Sequence, residues 1–221
     1  MQLLSILCIC LLPKLLFSAY VSDLNSSTDC KVLLAQKDKE RATNPVLANE
    51  ITTTNETDYK KATSIFDFTV KDTFNVDIPL GEYCRGYVTL ILNVASRCFL
   101  TDTNYAQSTQ LNKKYNEKLR ILVFPCNRFG GQMPETDGEE MLCHFKRWNA
   151  APGQILAKVN VNGNSAIPLY KYLKKELKGS IGPDIEWNFV KFLIDKNGKP
   201  VKRYIEIVAP MDIVNDIEAL F

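Results

Sequence analysis

Two nearly continuous apolar runs, YVTLILNV at 87–94 and LRILVFPC at 119–126, most constrain the fold of this chain. Runs of this length and β-branched content are typical of strands buried on both faces of a sheet. The residues between them, from Asp102 to about Glu117, favour a helix, with Thr101 or Asp102 as its cap. A strand, a helix and a second strand in this order predict a parallel pair of strands.

Further elements extend this pattern on both sides. SIFDFTVKD and NVDIPLGEY are predicted to be paired strands before the first run, and QILAKVNVNG is predicted to be a strand after the second. Helices are predicted from Glu135 to about Trp148 and over IPLYKYLKKEL, and a short one from Pro210. WNFVKFLID and PVKRYIEI predict a hairpin with Asn197 and Gly198 in its turn. The order predicts an α/β domain with a mixed central sheet flanked by helices.

The first 61 residues differ in composition from the rest of the chain. Residues 1–22 are an apolar block followed by small residues, which predicts a signal peptide, with an uncleaved anchor as the alternative. Residues 23–61 are polar and are predicted to be a flexible extension. Asn25 and Asn55 each begin an Asn-x-Ser/Thr triplet and are candidate glycosylation sites. We therefore predict a secreted chain with one globular domain at 62–221.

Charge and histidine content argue against two classes of function. A formal net charge of only +2 gives no indication of a nucleic-acid partner. The single histidine, His144, rules out a histidine-rich metal site, and no metal is predicted. His144 follows Cys143 on a predicted helix, where adjacent side chains diverge by about 100°. We therefore expect a solvated or capped histidine rather than a Cys–His pair.

Five cysteines follow the predicted signal peptide: Cys30, Cys84, Cys98, Cys126 and Cys143. In an oxidising compartment this odd number implies at least one thiol that is free, reactive or intermolecular. Cys98 lies beside Arg97 at the start of a predicted helix, where a cation and the helix dipole favour a thiolate. A buried structural cysteine or half of a disulfide remains an open alternative for Cys98.

Three segments in order resemble the glutathione peroxidase family: NVASRCFLTDTNY, then ILVFPCNRFGGQMPET at 121–136, then IEWNFVKFLID at 185–195. The resemblance runs from about Ser64 to Phe221 and is closer to the monomeric, phospholipid-hydroperoxide type, because no long insertion builds a tetramer interface. It implies a thioredoxin-like fold and thiol-dependent reduction of hydrogen peroxide or lipid hydroperoxides to water or an alcohol. It also implies a monomer that needs no cofactor, is regenerated by glutathione or thioredoxin, and contacts a membrane only through a lipid hydroperoxide.

The resemblance also assigns roles to individual residues. Cys98 would be the peroxidatic nucleophile and would pass through a sulfenic acid. The indole of Trp187 and the amide of Asn188 would donate hydrogen bonds to the thiolate and to the charge developing on oxygen. Two positions depart from the family: Arg128 stands where it has glutamine, and Phe99 where it has glycine. If that glycine position needs positive φ or close approach, Phe99 would strain or block the peroxide pocket.

The regenerating step leaves several roles open. Thioredoxin-dependent members with a cysteine nucleophile carry a resolving cysteine on the helix after the second segment, at the position of Lys146 here. Cys143 lies about one turn earlier, so it is a candidate resolving residue, a structural thiol or a partner for Cys84. Cys126 is expected to pack at its loop, and Cys30 to form a linkage outside the domain.

Two other functions stay open from the sequence alone. A catalytically weakened relative acting as a secreted binding or structural protein is favoured by Phe99 and Arg128. A thiol redox sensor would require a stable disulfide between Cys98 and a partner cysteine.

Overall fold

The computed structural model describes residues 27–44 and 57–221 of the chain. The predicted signal peptide at 1–22 and the two glycosylation candidates, Asn25 and Asn55, lie outside these ranges. Within them, none of the helices combines the length and apolarity that a membrane span requires.

Helices and strands alternate along the domain. The α-helices are α1 (Ser27–Thr43), α2 (Leu80–Tyr83), α3 (Thr101–Tyr115), α4 (Glu139–Arg147), α5 (Pro168–Glu176) and α6 (Val214–Glu218). The strands are β1 (Thr69–Lys71), β2 (Asp77–Pro79), β3 (Val88–Val94), β4 (Leu119–Pro125), β5 (Gln154–Ile155), β6 (Lys191–Ile194) and β7 (Pro200–Tyr204). Two 3-10 helices span Ile65–Asp67 and Pro210–Ile213.

Five strands form the central sheet in the order β5-β4-β3-β6-β7. β4 is parallel to β3 and to β5, whereas β6 is antiparallel to β3 and to β7. β1 and β2 form a separate antiparallel pair. The predicted parallel pair and the hairpin near the C-terminus are therefore confirmed, and the sheet is mixed as the element order predicted.

The strand predicted over QILAKVNVNG is shorter than expected and ends at Ile155. Beyond it, the backbone N–H of Ala157 donates to the carbonyl of Lys71, and that of Val159 donates to the carbonyl of Pro125. The segment thus bonds to two different elements in turn. The alternation of apolar residues in this segment therefore reflects their burial and does not indicate a continuous β-strand.

Each face of the sheet carries its own apolar core, because successive strand residues point to opposite sides. Leu90, Leu92 and Val94 of β3 pack with residues of α3 and α4 on one side, called here the α3 face. Ile91 packs with residues of α5 on the other side, called here the α5 face. Both faces are covered, which accounts for the nearly uninterrupted apolar sequence of β3 and β4.

The extension predicted to be flexible at 23–61 is helical over Ser27–Thr43, so that prediction is wrong for α1. A disulfide joins Cys30 of α1 to Cys143 of α4, across 113 residues of sequence. Both cysteines are buried together with Leu34. The predicted linkage of Cys30 outside the domain and the suggested Cys143–Cys84 pairing are also wrong, because α1 brings Cys30 onto α4.

An ion pair between Arg41 of α1 and Glu140 of α4 secures the same contact. The side chain of Glu140 is only 1% exposed, and that of Arg41 is 10% exposed. The Glu140 carboxylate also accepts hydrogen bonds from the backbone N–H and the hydroxyl of Thr136, at 2.9 and 2.6 Å. A carboxylate this far from water needs a counter-charge, and α1 provides it.

We predict that Arg41→Met lowers the free energy of unfolding by about 3 kcal/mol, because it leaves the buried Glu140 carboxylate without its cation. Adding Glu140→Gln should recover most of this loss, since the neutral amide can still accept from Thr136. Urea denaturation of the disulfide-bonded protein measures both. Lys39→Met, on the exposed side of α1, is the matched control. An equal loss in the single and double variants would contradict the prediction.

Candidate active site

Three segments meet at one edge of the central sheet. β3 ends at Val94 and leads to Cys98, and the parallel strand β4 ends at Pro125 and leads to the loop at 126–132. β6 is antiparallel to β3 and begins at this same edge, just after Trp187 and Asn188. The topology therefore brings together the three segments that the sequence singled out.

Asn93, at the end of β3, joins two of these segments. Its side-chain amide donates to the carbonyl of Trp187 at 3.1 Å, and its backbone carbonyl accepts from the N–H of Phe189 at 2.7 Å. Asn93 is fully buried, so water does not compete for these bonds. The backbone around Asn188 is thus fixed relative to the strand that leads to Cys98.

Gln132 joins the third segment to both of the others. Its backbone carbonyl accepts from the N–H groups of Ser96 and Arg97 at 2.9 and 3.0 Å. Its side-chain oxygen accepts from the amide nitrogen of Asn188 at 2.8 Å. Gln132 was not singled out from the sequence, although it belongs to the FGGQ part of the second segment. It connects the loop before Cys98 directly to Asn188.

Cys98 is a free thiol that is 6% exposed and lies immediately before α3. Its N–H donates to the hydroxyl of Thr101 at 3.2 Å, and its carbonyl accepts from the N–H of Thr101 at 3.0 Å. The hydroxyl of Thr101 in turn donates to the carbonyl of Ala95. These bonds hold Cys98 at the N-terminal end of a 15-residue helix, where the helix dipole attracts an anion.

Trp187 lines the same region. Its indole is partly buried and packs against the α3-face core, which includes Cys98. Its ring also lies 5.6 Å from that of Phe129, between the ring centroids. The loop after β4 thereby supports the indole from one side.

The two departures from the family both lie at the surface. The side chain of Phe99 is 84% exposed and therefore points into solvent. Asn75, Asn149 and Phe189 are the non-glycine residues with positive φ in the described chain, so Phe99 is not strained in that way. Arg128 is also exposed. Phe99 therefore gives no steric reason to expect a blocked peroxide pocket.

Arg97, the cation beside Cys98, contacts the N-terminal helix. Its guanidinium lies 3.5 Å from the carboxylate of Asp38 on α1, with both side chains more than half exposed. Asp38 also pairs with Arg41. The extension therefore offsets part of the positive charge that the sequence placed beside Cys98.

A buried polar chain runs beneath the Cys98 loop. The hydroxyl of Ser96 donates to Glu135 at 2.7 Å, Nδ1 of His144 lies 3.6 Å from the same carboxyl group, and Nε2 of His144 lies 3.2 Å from the hydroxyl of Tyr105. Burial lowers the pKa of His144 to about 4 and raises the pKa of Glu135. The expectation of a solvated or capped His144 is wrong: it is a buried, neutral imidazole that anchors α4 to α3.

Cys143, the candidate resolving residue, is not placed for that role. Its sulfur is bonded to Cys30 and packs against α1. Met141 and Phe145 of the same helix instead pack on the α3 face with Cys98. In the described residues, no group of three or more His, Cys, Asp or Glu side chains is arranged to hold a metal ion.

Lys191, the first residue of β6, stabilises the unusual backbone next to Asn188. Phe189 has φ of +69°, in the left-handed region that a bulky residue rarely adopts. The ammonium of Lys191 donates to the carbonyl of Phe189 at 2.7 Å and is fully buried. Burial lowers the pKa of Lys191 to about 7, while Glu206 and Asp212 act in the opposite direction.

Comparison with known proteins places this chain among glutathione peroxidases. The family described as glutathione peroxidase matches residues 65–174. A Solanum lycopersicum protein named "Probable phospholipid hydroperoxide glutathione peroxidase" is 48% identical over 161 residues, which cover 71% of this chain and 92% of that protein. A glutathione peroxidase of Schistosoma mansoni is 44% identical over 163 residues, which cover 73% and 95%.

Solved structures agree on the fold. The crystal structure of T. cruzi GPX1 superimposes with a TM-score of 0.59 at 36% identity, over 72% of this chain and 96% of that one. A thioredoxin-family thiol:disulfide interchange protein from Chlorobium tepidum TLS shares the fold at 12% identity, with a TM-score of 0.52 over 69% of this chain and 92% of that one. The predicted thioredoxin-like fold is confirmed.

We predict that Lys191→Met changes how stability depends on pH. Between its folded pKa of about 7 and its ordinary value of 10.5, Lys191 binds a proton in the unfolded chain but not in the folded one. The wild type therefore loses stability as pH falls through this range, by up to about 1.4 kcal/mol per pH unit, and the variant lacks this loss. Urea denaturation should show that the free energy of unfolding of the variant, relative to that of wild type, is higher at pH 7.5 than at pH 9.5.

Lys202→Met, at an exposed lysine of β7, is the control, because an exposed ammonium meets no comparable desolvation. A stability difference between Lys191→Met and wild type that is the same at both pH values would contradict this assignment.

Proposed function

Because the chain belongs to the glutathione peroxidase family, we propose that Cys98 is the nucleophile with which it reduces peroxides. Family membership makes the protein an oxidoreductase that acts on hydroperoxides with thiols as the reductant. The observation that supports Cys98 most directly is its free thiol at the N-terminus of α3, held by Thr101 and joined through Gln132 to Asn188. No other described free cysteine lies on the α3 face.

The reaction begins with attack of the Cys98 thiolate on one oxygen of the peroxide. An S–O bond forms as the O–O bond breaks, so sulfur is oxidised by two electrons and becomes a sulfenic acid. The second oxygen leaves with the electron pair of the broken bond and takes a proton to become water or an alcohol.

Trp187 and Asn188 stabilise charge around the reacting atoms. One N–H of the Asn188 amide is used by Gln132, so the other is the donor that we assign to the thiolate and the leaving oxygen. The indole N–H of Trp187 is the second donor, in a ring position supported by Phe129. Donors held in place before the reaction, by a hydrogen bond for Asn188 and by ring packing for Trp187, lose little energy in reorganisation during it.

We further propose a lipid hydroperoxide among the substrates. Relatives named phospholipid hydroperoxide glutathione peroxidases, such as the Solanum lycopersicum protein, support this assignment. The exposed ring of Phe99, next to Cys98, and the exposed guanidinium of Arg128, in the loop after β4, suit an amphiphilic molecule with an anionic head. In this proposal Arg128 attracts substrate rather than replacing the family's glutamine in catalysis.

The alternative of a catalytically weakened relative has less support. It rests on Phe99 and Arg128, whereas the ring of Phe99 points to solvent and its backbone is unstrained in φ. Arg128 adds a positive charge where the family has a neutral glutamine, but its exposed side chain takes no part in the bonds of Asn93 and Gln132.

We propose that the protein is exported and matures in an oxidising compartment. The composition of residues 1–22 and the Cys30–Cys143 disulfide support this, since such bonds persist mainly outside reducing cytosol.

Cys98→Ser should reduce peroxide consumption to the uncatalysed rate, because the hydroxyl is not a nucleophile near neutral pH. Trp187→Phe and Asn188→Ala should each lower kcat by about 10²-fold through loss of one hydrogen-bond donor. The assay follows hydrogen peroxide and a phospholipid hydroperoxide with glutathione, then with a thioredoxin system. Equal background rates in wild type and Cys98→Ser would overturn the proposal.

Phe99→Gly and Arg128→Gln, which restore the family's residues, serve as matched controls for this experiment. We expect both to keep kcat for hydrogen peroxide within about 10-fold of wild type, because neither side chain supports the bonded groups. If kcat of Phe99→Gly for hydrogen peroxide exceeded that of wild type by much more than 10-fold, the alternative of a catalytically weakened relative would be supported instead.

Export predicts a processed N-terminus. When the full chain is produced in a eukaryotic secretory host, N-terminal sequencing of the secreted protein should begin near residue 20 or 23. Deglycosylation should lower its mass through Asn25 and Asn55, and Asn25→Gln/Asn55→Gln should abolish that shift. Retention of Met1 in a membrane fraction would favour the uncleaved anchor.

A further inference from the structure

Strand β6 begins with a fully buried lysine, Lys191, on the same side of the sheet as Cys98. Alternate residues of a strand share a face, so Lys191 faces the same side as Leu193. Leu193 and Leu92, the partner of Lys191 on β3, both pack in the α3-face core, which includes Cys98. The long side chain of Lys191 therefore lies in the core beneath the proposed site.

The ammonium of Lys191 completes a set of hydrogen bonds around Asn188. Asn93 bonds to the carbonyl of Trp187 and to the N–H of Phe189, whereas Lys191 donates to the carbonyl of Phe189 at 2.7 Å. Phe189 has φ of +69°, which is unfavourable for a bulky residue. A change of φ there would rotate the peptide group that joins it to Asn188. Lys191 holds the far side of this turn, and Asn93 holds the near side.

Lysine is a costly residue at this position. Burial lowers its pKa to about 7, although the carboxylates of Glu206 and Asp212 favour the charged form. An apolar side chain of similar length would fill the space without losing hydration. A residue that is costly to bury and also holds a strained backbone is typical of a functional site, where stability is given up for geometry.

From these contacts we propose that Lys191 is a positioning residue of peroxide reduction, which fixes the Phe189 carbonyl and thereby holds the Asn188 amide in place for the leaving oxygen. The inference rests on the proposed function of Cys98 and adds a residue to the machinery of that same site. Lys191 acts only through the backbone and does not itself touch the peroxide.

The proposal predicts a selective effect on one reaction of Cys98. Negative charge develops on the leaving oxygen as the O–O bond breaks, and a donor must lie close to it at that moment. A donor displaced by about 1 Å loses much of its effect. Loss of Lys191 should therefore slow the attack on peroxide and leave the thiol available to other reagents.

Two reactions of Cys98 separate positioning from a merely structural role. Oxidation by hydrogen peroxide is followed in a single turnover by trapping the sulfenic acid with a cyclic 1,3-dione. Alkylation by iodoacetamide is followed by the mass of the Cys98 peptide; it forms an S–C bond and releases iodide, which needs no proton. In full-length, disulfide-bonded Lys191→Met, the rate constant with peroxide should fall by about 10-fold or more, and that with iodoacetamide should stay within about 2-fold of wild type.

Leu193→Val is the matched control, because it removes a methylene group from the same face of β6 and no hydrogen bond. It should lower the urea midpoint and keep both rate constants within about 2-fold of wild type. Lys191→Leu, a second apolar replacement, should repeat the result of Lys191→Met.

Equal slowing of both reactions in the two Lys191 variants would overturn the proposal, since it would mean that Lys191 supports the fold or the access to Cys98. An unchanged rate constant with peroxide would overturn it as well. If Cys98 of the wild type forms no sulfenic acid, the proposed nucleophile itself fails, which is a different result from either.

Discussion

The buried amide of Asn93 is the interaction on which the proposed site depends. Asn93 lies at the end of a central strand. Its side-chain amide donates to the carbonyl of Trp187 and its backbone carbonyl accepts from the N–H of Phe189, so two segments almost a hundred residues apart in sequence become one surface. Gln132 adds the third segment by bonding to the loop before Cys98 and to the Asn188 amide. Asn93 and Asn188 are fully buried, so losing the bonds that they make is costly. The geometry of the site therefore depends on bonds from Asn93, near the end of a sheet strand, to the segment that carries Trp187 and Asn188.

The fold was predictable where burial leaves a periodic pattern. The apolar runs of β3 and β4, the helix between them and the Asn-Gly turn of the β6–β7 hairpin all follow from local sequence. The position where β5 ends could not be predicted from local sequence, because the residues after Ile155 are buried without continuing the strand pairing. Local sequence patterns indicate which residues are buried, but they do not indicate which backbone groups will hydrogen-bond to each other.

The sequence indicated individual candidate residues of the site, but not most of the hydrogen bonds that join its segments. Family resemblance pointed to Cys98, Trp187 and Asn188, whose roles stay predictions, but Gln132 and Asn93 act through contacts between distant segments, which a single sequence does not reveal. The error over 23–61 has a similar cause. The residues of α1 are mostly polar, and its position depends on Cys30 and Arg41, whose partners lie about a hundred residues away on α4. The composition of the extension does not indicate that Cys143 and Glu140 are these partners.

The disulfide between α1 and α4 also makes a covalent ring of the chain from Cys30 to Cys143. That ring contains β1 to β4, Cys98 and the loop with Gln132, while β6 with Trp187 and Asn188 immediately before it lies outside. A single cleavage of the backbone between α1 and β1 would open the ring without separating the pieces. The N-terminal helix would stay attached to the domain as a second chain, and the counter-charge that Arg41 gives to Glu140 would survive the cut. The sequence joining α1 to the domain is thus free to vary in length, or to be processed, at no cost to the connection between them.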